Sequence, residues 1–334
     1  MRRLKVFVSG ATGFLGKHTV KRLSEIGYTV FAFGRNENSA QFFKSMENVY
    51  FIKGDLNDIH LLDQHIKDAD YVIHCAALAA PYGEYDLFFE TNVDGTNNIV
   101  NVSLKTNLKK FIYLSTPSVY FENESRTNVR ESDPLPKRHT NFYAKTKHLA
   151  DIVVQKATAN GLPAISLRPR QIFGPFDNTI FGRLIETNLT RGIPLVKNGQ
   201  VLMDFTYIDN VVDVIVSCMN ADNQYIGEFY NITNGQPIYL IDALKQLFSA
   251  LNEELQTKAI SPQILSLLST SSEVIAKFTR KPPFISKHVA SFLSYDYTLN
   301  IDKIKNDLHY DPKISITEGI NRYANWYLSN SRSK

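Results

Sequence analysis

Cysteine is scarce in this chain of 334 residues, and long apolar runs are lacking. The two cysteines, Cys75 and Cys218, stand inside apolar segments, so we expect buried free thiols in a reducing compartment. No uninterrupted apolar stretch reaches the ~18 residues that a membrane-spanning helix needs. The first residues lead directly into a predicted strand, so we expect no signal peptide. These absences predict a cytoplasmic protein with no transmembrane segment.

A large excess of one charge is also lacking. The 37 lysine and arginine residues are nearly balanced by 33 acidic residues, and a net charge of +4 is too small to indicate a nucleic-acid partner. The apolar share of 43% and the charged share of 21% are ordinary for a globular protein. The length allows one large or two modest domains. We predict no metal site.

The first residues carry strand, turn and helix signals in that order. An apolar run at 6–8 is typical of a buried parallel strand, and 17–26 has a helical pattern. Between them, Gly10 allows a tight turn, Gly13 lets a phosphate approach the backbone, and Gly16 lets the helix lie close to the sheet. The helix N-terminus offers free N–H groups to a pyrophosphate. This order predicts a dinucleotide site, the alternative being a glycine-rich turn without a ligand.

Predicted strands and helices alternate along the first half of the chain. Further strands are expected at 28–33, 49–53, 70–75, 109–114 and 164–167, with helices between them that include 84–106 and 141–161. Such spacing indicates βαβ units with right-handed crossovers. The predicted fold is therefore α/β, with a Rossmann-like, doubly wound parallel sheet.

The alternation loosens after residue 173, which suggests a second unit. We expect a dinucleotide-binding domain over 1–173, to which 203–233 returns. A smaller, mostly helical substrate-binding domain is expected over 174–202 and 234–334.

An apolar run with few charges covers 260–290 in this second unit. Pro262, Pro282 and Pro283 are expected to cut its helices into short pieces. The run has two interpretations: a packed helical core, or the lid of an apolar pocket.

Tyr143 and Lys147 lie four residues apart on the predicted helix at 141–161, so they share one face. A phenol has an ordinary pKa near ~10, and a nearby cation favours the phenolate and lowers that pKa. Such a tyrosine can exchange a proton with an alcohol or carbonyl while hydride passes to or from a nicotinamide. The alternative is a surface Tyr–Lys pair.

Three hydroxyls, on Ser115, Thr116 and Ser118, follow the strand predicted at 109–114. The carboxyl end of a parallel strand is where ligands bind in open α/β sheets, so one hydroxyl is expected to orient the substrate oxygen toward Tyr143. Serine and threonine at such places are also ordinary turn formers.

Several further motifs carry a family resemblance. The motifs are Gly-Ala-Thr-Gly-Phe-Leu-Gly at 10–16, Gly-Asp-Leu at 54–56, His-Cys-Ala-Ala at 74–77, Asn-Val-Asp-Gly-Thr at 92–96, Ser-Thr-Pro-Ser-Val at 115–119, Tyr143 with Lys147, and Arg-Pro through Ile-Phe-Gly-Pro at 168–175. In order and spacing, the chain resembles the extended short-chain dehydrogenase/reductases. It is most similar to the 3-beta-hydroxysteroid dehydrogenase/isomerase family and its bacterial relatives that reduce 2-alkyl-3-ketoalkanoic acids.

The resemblance implies a role for each matching residue. Tyr143 would be the acid/base, with Lys147 tuning its pKa and binding the ribose. Thr116 takes the place of the usual serine, and Ser115 or Ser118 could share its role. The cofactor would be held by Gly10, Thr12, Gly13, Phe14, Leu15, Gly16, Arg35, Asp55, Leu56, Ala76, Ala77, Asn92, Tyr143, Lys147, Pro169, Ile172 and Phe173. Within this set, Asp55 and Leu56 would flank the adenine, Asn92 would brace the site, and 169–173 would flank the nicotinamide.

The end of the second predicted strand bears on the choice of cofactor. NAD-selective proteins have an acidic residue there, whereas this chain has Gly34 followed by Arg35. A guanidinium with no neighbouring carboxylate suits a 2′-phosphate, so we predict NADP(H), with NAD(H) less favoured. Alternatively, Arg35 stacks on the adenine without selecting.

Three functions are compatible with these signals. The first is an NADP(H)-dependent oxidoreductase acting on a secondary alcohol or ketone of an apolar molecule, either steroid-like or a long-chain 3-keto acid. The second is a nucleotide-sugar epimerase or dehydratase, for which Arg170, Arg183 and Arg191 could bind a diphosphate. The third is a sensor that binds NADP(H) without turnover.

Candidate substrate contacts are Tyr82, Ser118 and Arg170, and aromatic side chains at 82–89 are expected near the entrance. A homodimer through 84–106 and 141–160 is predicted.

Overall fold

The computed structural model describes residues 3–80, 82–279 and 283–331. Pro282, one of the prolines expected to break helices, lies outside these residues. The glycines at 10–16 lead into a helix, Phe14–Glu25, and then a strand, Thr29–Gly34, in the order that the sequence predicts. The sequence therefore folds locally as its periodicity indicates.

A seven-stranded sheet forms the centre of the molecule, and every neighbouring pair in it is parallel. Its strands are β1 (Lys5–Ser9), β2 (Thr29–Gly34), β3 (Val49–Lys53), β4 (Tyr71–His74), β5 (Lys110–Leu114), β7 (Ala164–Pro169) and β12 (Phe229–Ile232). The strand between β5 and β7, β6 (Arg126–Val129), and the strands between β7 and β12 belong to smaller sheets. The spatial order is β12-β7-β5-β4-β1-β2-β3. The chain reverses direction across the sheet beside β1, which places a crevice at the carboxyl ends of β1 and β4. The predicted α/β class and Rossmann-like sheet are confirmed.

Helices cover both faces of this sheet. The covering helices are α1 (Phe14–Glu25), α2 (Ile59–Ile66), α4 (Gly95–Ser103), α5 (Phe142–Ala159) and α7 (Ile208–Met219). Two further helices of this part of the chain are α3 (Tyr85–Phe89), which precedes α4, and α6 (Phe181–Thr190), which packs in the C-terminal core. One core cluster joins α1 and α7 to one face, and a second joins α2, α4 and α5 to the other. Strands β1, β4 and β5 are almost entirely buried because both faces are covered.

The helix expected at 84–106 is divided by one wider turn. Residues Glu90–Asp94 form a π-helical turn between α3 and α4. A π turn inserts one residue into the helical repeat, so the faces of α3 and α4 are out of phase. Such turns have no periodicity signal, which is why the sequence pattern predicted an uninterrupted helix.

The C-terminal region is mainly helical. It contains α8 (Leu240–Leu251), α9 (Pro262–Thr279), α10 (Lys287–Phe292), α11 (Asp302–Leu308) and α12 (Ile316–Ser331). Small sheets also occur, formed by β8 (Ile172–Phe173), β9 (Ile193–Leu195), β10 (Leu202–Met203), β11 (Thr206–Tyr207), β13 (Ile238–Tyr239), β14 (Thr257–Ala259) and β15 (Tyr297–Leu299) with β6. A separate core cluster packs α6, α8 and α12 together. The domain boundaries expected from the sequence stay a prediction.

Candidate active site

The glycine bend after β1 leaves no room for side chains. Gly10 has a φ of +68°, and a Cβ placed there would lie 2.7 Å from the backbone of Ala76. A Cβ on Gly16 would lie 2.1 Å from the carbonyl oxygen of Gly10, so only glycine lets α1 approach the bend. Gly13, which has no side chain that could cap α1, immediately precedes the helix. The first-turn N–H groups thus face a narrow cradle of the kind that fits a pyrophosphate.

The residues between these glycines pack around the cradle. Phe14 and Leu15 place their side chains against the C-terminal core, which leaves the backbone of the first turn toward the cleft. The Thr12 side chain lies over Gly34, where a Cβ would come within 2.8 Å of the Thr12 Oγ1. An acidic side chain at the end of β2 would therefore displace Thr12.

Arg35 at the outer end of the cradle does have a neighbouring carboxylate, contrary to expectation. Its Nη1 lies 3.6 Å from an Asp55 carboxylate oxygen, with side chains 71% and 46% exposed. The two residues meet because β2 and β3 pair in register up to Gly34 and Lys53. Such an exposed pair contributes only about 0–1 kcal/mol, so a stronger anion can displace it. Leu56, the next residue, is buried beneath Gly95.

Tyr143 lies in the first turn of α5, beside Thr116. Asn141 caps this helix, its Oδ1 accepting a hydrogen bond from the Ala144 N–H at 2.7 Å. The hydroxyl of Thr116 is hydrogen-bonded to the Tyr143 side chain and accepts from the Ser118 N–H at 3.2 Å. The structure thus brings phenol and threonine hydroxyl together at the carboxyl end of β5.

The pKa of Tyr143 is raised rather than lowered in this structure. Burial of the phenol is the main cause, Thr116 acts in the opposite direction through its hydrogen bond, and Asp151 raises the pKa further. The expectation of a lowered Tyr143 pKa is therefore wrong for the protein alone, in which burial outweighs the opposing hydrogen bond.

Lys147 is buried beneath the site, one turn after Tyr143. Its Nζ donates to the Leu114 carbonyl oxygen at 2.7 Å and lies 4.2 Å from the centre of the Tyr113 ring. Burial lowers the pKa of Lys147 to about 8, and the Asp151 carboxylate opposes this effect. Its ammonium group is consequently held in place by the Leu114 carbonyl, and with this pKa it remains mostly protonated at pH 7.

Ser115 does not join this group. Its Oγ donates to Asp151 at 2.6 Å, while Thr116, the next residue, reaches Tyr143. Successive residues of an extended segment point to opposite sides, so only one of the two hydroxyls can face the cleft. The Ser115 hydroxyl is therefore bonded to Asp151 in this arrangement, and its expected share in catalysis stays a prediction.

Sequence reasoning missed the buried polar group to which Ser115 belongs. Asp151 accepts from Ser115 and also from Arg168 Nη2, at 2.7 Å, and both charged side chains are almost fully buried. Arg168 also donates to the hydroxyl of Tyr120. The signal in the sequence was the position of Asp151, four residues after Lys147 and on the same helical face.

Asn92, on the π turn, links three segments. Its Oδ1 accepts from the Leu78 N–H at 2.7 Å, and its Nδ2 donates to the Leu78 carbonyl and to Thr146 Oγ1. The loop after β4, with half-buried Ala76 and Ala77, is thereby tied to α5 beside Tyr143. Cys75 in this loop is only partly buried, whereas Cys218 is fully buried, and both are free thiols.

The segment expected to flank the nicotinamide is divided between the cleft and the core. Pro169, at the carboxyl end of β7, and Ile172, at the start of β8, are both half-buried. Phe173 is fully buried, and its ring packs against Phe181 and Tyr207 at centroid distances of 4.8 and 5.6 Å. The Phe173 ring thus fills the C-terminal core, and the expected role of this residue beside the nicotinamide stays a prediction.

Arg170 and His288 lie on the C-terminal side of the site. The Arg170 guanidinium carbon is 4.4 Å from the centre of the Tyr297 ring. His288 Nδ1 is 3.0 Å from the Nδ2 of Asn141, the residue that caps α5. Burial and the Arg170 charge lower the pKa of His288 to about 4, so this imidazole is neutral at pH 7.

The aromatic side chains expected at the entrance have different environments. Tyr82 is half-buried in the loop before α3, and the Tyr85 ring packs edge-on against Phe142 at 5.3 Å. Phe88 is buried inside the fold instead of lining an entrance. Ser118 is partly exposed next to Thr116.

Helix α9 has two apolar sides with different environments. Leu265 and Ala276 are buried, and Leu265 belongs to the C-terminal core. A wider face is exposed, up to 86% at Phe278, and comprises Ile264, Leu267, Leu268, Val274, Ile275 and Phe278, with Phe284 beyond the helix. Most of the apolar run is thus not a packed core, and its role as a lid stays a prediction.

Two classes of feature are lacking within the described parts of the chain. No group of three or more histidine, cysteine or acidic side chains could hold a metal ion. Among the helices over 3–80, 82–279 and 283–331, none combines the length and apolar character required to cross a bilayer.

The sheet, glycine cradle and tyrosine-centred group define a dinucleotide-dependent enzyme of the Rossmann type. Residues 6–233 match the model of the NAD dependent epimerase/dehydratase family. The chain belongs to this family, that of the extended short-chain dehydrogenase/reductases, and is an NAD(P)-dependent enzyme acting on CH–OH groups.

Individual proteins agree with this assignment. The chain is 30% identical to a 2-alkyl-3-oxoalkanoate reductase of Shewanella oneidensis, over 95% of this chain and 84% of that protein. It is also 30% identical to the decarboxylating sterol-4-alpha-carboxylate 3-dehydrogenase of Schizosaccharomyces pombe, with 96% of each chain covered. The structure resembles UDP-glucuronic acid 4-epimerase from Bacillus cereus in complex with NAD, with a TM-score of 0.79 over 98% of this chain and 99% of that chain. At 22% identity, this last likeness shows the fold alone.

Proposed function

We propose that the protein is an NADP(H)-dependent oxidoreductase that interconverts a secondary alcohol and a ketone on a largely apolar molecule. The observation that carries the proposal is the group formed by Thr116, Tyr143 and Lys147 at the carboxyl edge of the sheet, beside the glycine cradle. The named relatives support an apolar substrate, since one is a reductase of an oxoalkanoate and the other a dehydrogenase of a sterol.

In this reaction, Tyr143 exchanges the proton. Its phenol donates a proton to the substrate oxygen during ketone reduction and accepts one during alcohol oxidation. Thr116 holds that oxygen and the phenol together through its hydroxyl, as its hydrogen bond to Tyr143 allows. Lys147, fixed by Leu114, supplies a positive charge that favours the phenolate. The bound nicotinamide supplies or accepts the hydride.

Cofactor preference depends on the outer end of the cradle. The residues that would hold the dinucleotide are Gly10–Gly16, Arg35, Asp55 with Leu56, Ala76 with Ala77, and Lys147, with Pro169 and Ile172 toward the nicotinamide. Arg35 would exchange its weak pairing with Asp55 for a 2′-phosphate, a doubly charged partner that matches the guanidinium fork. Direct titration with NADPH and NADH tests this preference, and equal affinities would contradict it.

The alternative is a nucleotide-sugar epimerase or dehydratase. It is favoured by the fold shared with UDP-glucuronic acid 4-epimerase. Binding of UDP-glucuronic acid or UDP-glucose to the protein with NADP(H) or NAD(H), followed by product analysis, would support this second function. A sensor without turnover is the further alternative, although Tyr143 and Lys147 are both present.

The homodimer and the cytoplasmic location are part of the same proposal. Helices α4 and α5 pack side by side, and exposed residues on them, Asn97 and Asn101 on α4 and Gln155 and Lys156 on α5, could contact a second copy. Sedimentation velocity at micromolar concentration would detect a species of twice the chain mass of 38.0 kDa. A single species at the chain mass would contradict the dimer.

Turnover is tested with the purified protein, NADPH and a panel of ketones, following the loss of absorbance at 340 nm. We expect Tyr143→Phe to abolish turnover while leaving NADPH affinity nearly unchanged, because only the hydroxyl is removed. Tyr239→Phe is the matched control, since this exposed tyrosine lies on β13 outside the cleft. Retained activity in Tyr143→Phe would show that another group donates the proton.

A further inference from the structure

The outer face of α9 is a feature that the proposed reaction does not use. At 100° per residue, six of its large apolar positions fall within an arc of about 120° that runs along the whole helix, Pro262–Thr279. They therefore form one continuous surface, which we call the α9 stripe. It consists of Ile264, Leu267, Leu268, Val274, Ile275 and Phe278, whose exposed fractions range from 45% at Leu268 to 86% at Phe278.

The other two sides of α9 have different environments. Leu265, Ser269 and Ala276 are buried and hold the helix against the protein. The remaining side is polar and exposed, as at Gln263 and Thr270. A helix with a polar side and an apolar side that faces water is typical of helices that lie in an interface.

The segment after α9 fixes the direction in which the stripe faces. The Ile285 N–H donates to the Ser272 hydroxyl at 3.3 Å, and the Lys287 N–H donates to a Glu273 carboxylate oxygen at 2.8 Å. Ile285 itself is buried. Rotating α9 so that its stripe turned inward would break both hydrogen bonds, so the stripe is held outward by the fold.

Positive charge is concentrated in the same part of the chain. Residues 255–295 contain five lysine and arginine residues and one acidic residue, Glu273, an excess of four that equals the net charge of +4 of the whole chain. Lys258 on β14, before α9, and Lys287 at the start of α10, after it, are both exposed. The stripe therefore lies in a basic region of a chain that is otherwise neutral in total.

One apolar side chain of this region is in direct contact with a cation. Phe284, beyond the end of α9, is 65% exposed, and the guanidinium carbon of Arg191 lies 3.8 Å from the centre of its ring. A guanidinium stacked by its face keeps its N–H groups on its edge, where they can donate to a phosphate. An apolar ring and a phosphate-binding group thus lie side by side, as the boundary between acyl chains and headgroups requires.

We propose that the α9 stripe binds the surface of a lipid bilayer that contains anionic lipids, with the helix parallel to the membrane plane. A bilayer accepts a convex apolar helix without a matching groove, and its anionic headgroups complement the basic region. A second copy of this chain is a poorer partner, because a symmetric contact through α9 would bring two regions of the same charge together. The inference goes beyond the proposed reaction and does not depend on it.

The test is flotation of the purified chain with two kinds of vesicle, one of phosphatidylcholine alone and one that also contains about 30% phosphatidylglycerol. We expect binding to the anionic vesicles to be at least about tenfold tighter than to the neutral ones, and to weaken when NaCl is raised from about 0.05 to about 0.5 M. Absence of binding to the anionic vesicles, or equal binding to both kinds, would overturn the proposal.

The double variant Leu267→Ser with Phe278→Ser tests the stripe. It should weaken binding to the anionic vesicles by at least about tenfold, because two apolar side chains no longer enter the headgroup layer. Both side chains are exposed, so the urea unfolding transition should be that of wild type. Ile59→Ser is the matched control, since this residue is 49% exposed on α2, and it should bind as wild type does. Wild-type affinity in the double variant would overturn the proposal.

Phe278→Trp reports whether the stripe itself enters the lipid. The one tryptophan of the chain, Trp326, gives the background emission in wild type. Adding anionic vesicles should shift the emission of Phe278→Trp to shorter wavelength and leave that of wild type nearly unchanged. An unshifted emission in a chain that floats with the vesicles would assign the binding to another surface and overturn the proposal.

A subunit interface would give a different result. If wild type does not bind vesicles and is a dimer that Leu267→Ser with Phe278→Ser converts to monomers, the stripe binds a second copy and the membrane proposal is overturned. None of these measurements needs turnover, so failure of the proposed oxidoreductase function would leave their outcome unchanged.

Discussion

Replacing Asp151 with asparagine should affect Lys147 and Arg168 in different ways. The substitution keeps the size of the side chain and removes its charge. Lys147 then loses the carboxylate that raises its pKa, and this pKa should fall from about 8 by ~1 unit or more. Arg168 loses its ion-pair partner, which should lower the free energy of unfolding by ~3–5 kcal/mol.

The direction of the pH effects follows from the Lys147 pKa. Because burial lowers it from 10.5 to about 8, the buried ammonium costs stability below pH 8, and this cost is relieved as pH rises toward 10.5. Activity that requires the ammonium is present below the folded pKa and is lost above it. Wild-type kcat should therefore decline above about pH 8, and the decline in Asp151→Asn should begin at least ~1 unit lower.

The assay is kcat between pH 6 and 9.5 at saturating substrates, together with urea denaturation at pH 7. Asp177→Asn is a matched control, because this fully buried carboxylate accepts backbone hydrogen bonds at the start of α6, away from Lys147. Asp177→Asn should lower the free energy of unfolding without changing the pH at which kcat begins to decline. An unchanged decline in Asp151→Asn would refute the assigned coupling between Asp151 and Lys147.

Three other substitutions test separate parts of the structure. Gly16→Ala should abolish high-affinity binding of NADPH, because the added Cβ would lie 2.1 Å from the Gly10 carbonyl oxygen. Fluorescence titration measures this, and normal affinity would mean that the bend does not hold the dinucleotide. Phe278→Ser on α9 should change the free energy of unfolding in urea by less than about 0.5 kcal/mol, since this residue is 86% exposed. A larger loss of stability would indicate that this face of α9 is packed. Arg35→Ser should weaken binding of NADPH by at least about tenfold and leave NADH affinity nearly unchanged, in parallel titrations, because only the phosphate contact is lost. Equal losses for both cofactors would instead assign Arg35 to stacking on the adenine.

Local signals were sufficient to predict most of the sheet and its helices. The strand expected at 49–53 is β3, Val49–Lys53, and the helix expected at 141–161 is α5, Phe142–Ala159. Both have a regular pattern of apolar residues and distinct ends. The pairing of Tyr143 with Thr116 also agrees with the sequence, because the carboxyl end of β5 and the start of α5 must meet in a parallel sheet.

Features that depend on pairing between distant segments could not be predicted in this way. The carboxylate beside Arg35 comes from the loop after β3, and only the strand register brings Asp55 to it. The orientation of Ser115 depends on the local direction of an extended segment, which composition does not indicate. The burial of Phe173 depends on α6 and β11, which are distant in sequence.

The π-helical turn at Glu90–Asp94 limits how this region of the gene can vary in length. Deleting one codon there would restore a regular α-helical repeat and rotate every preceding helical residue by about 100° relative to α4. Asn92 would then leave the backbone groups of Leu78, and Tyr85 would turn away from Phe142. Frame-preserving insertions and deletions should consequently be tolerated in the exposed loops and selected against in this helix.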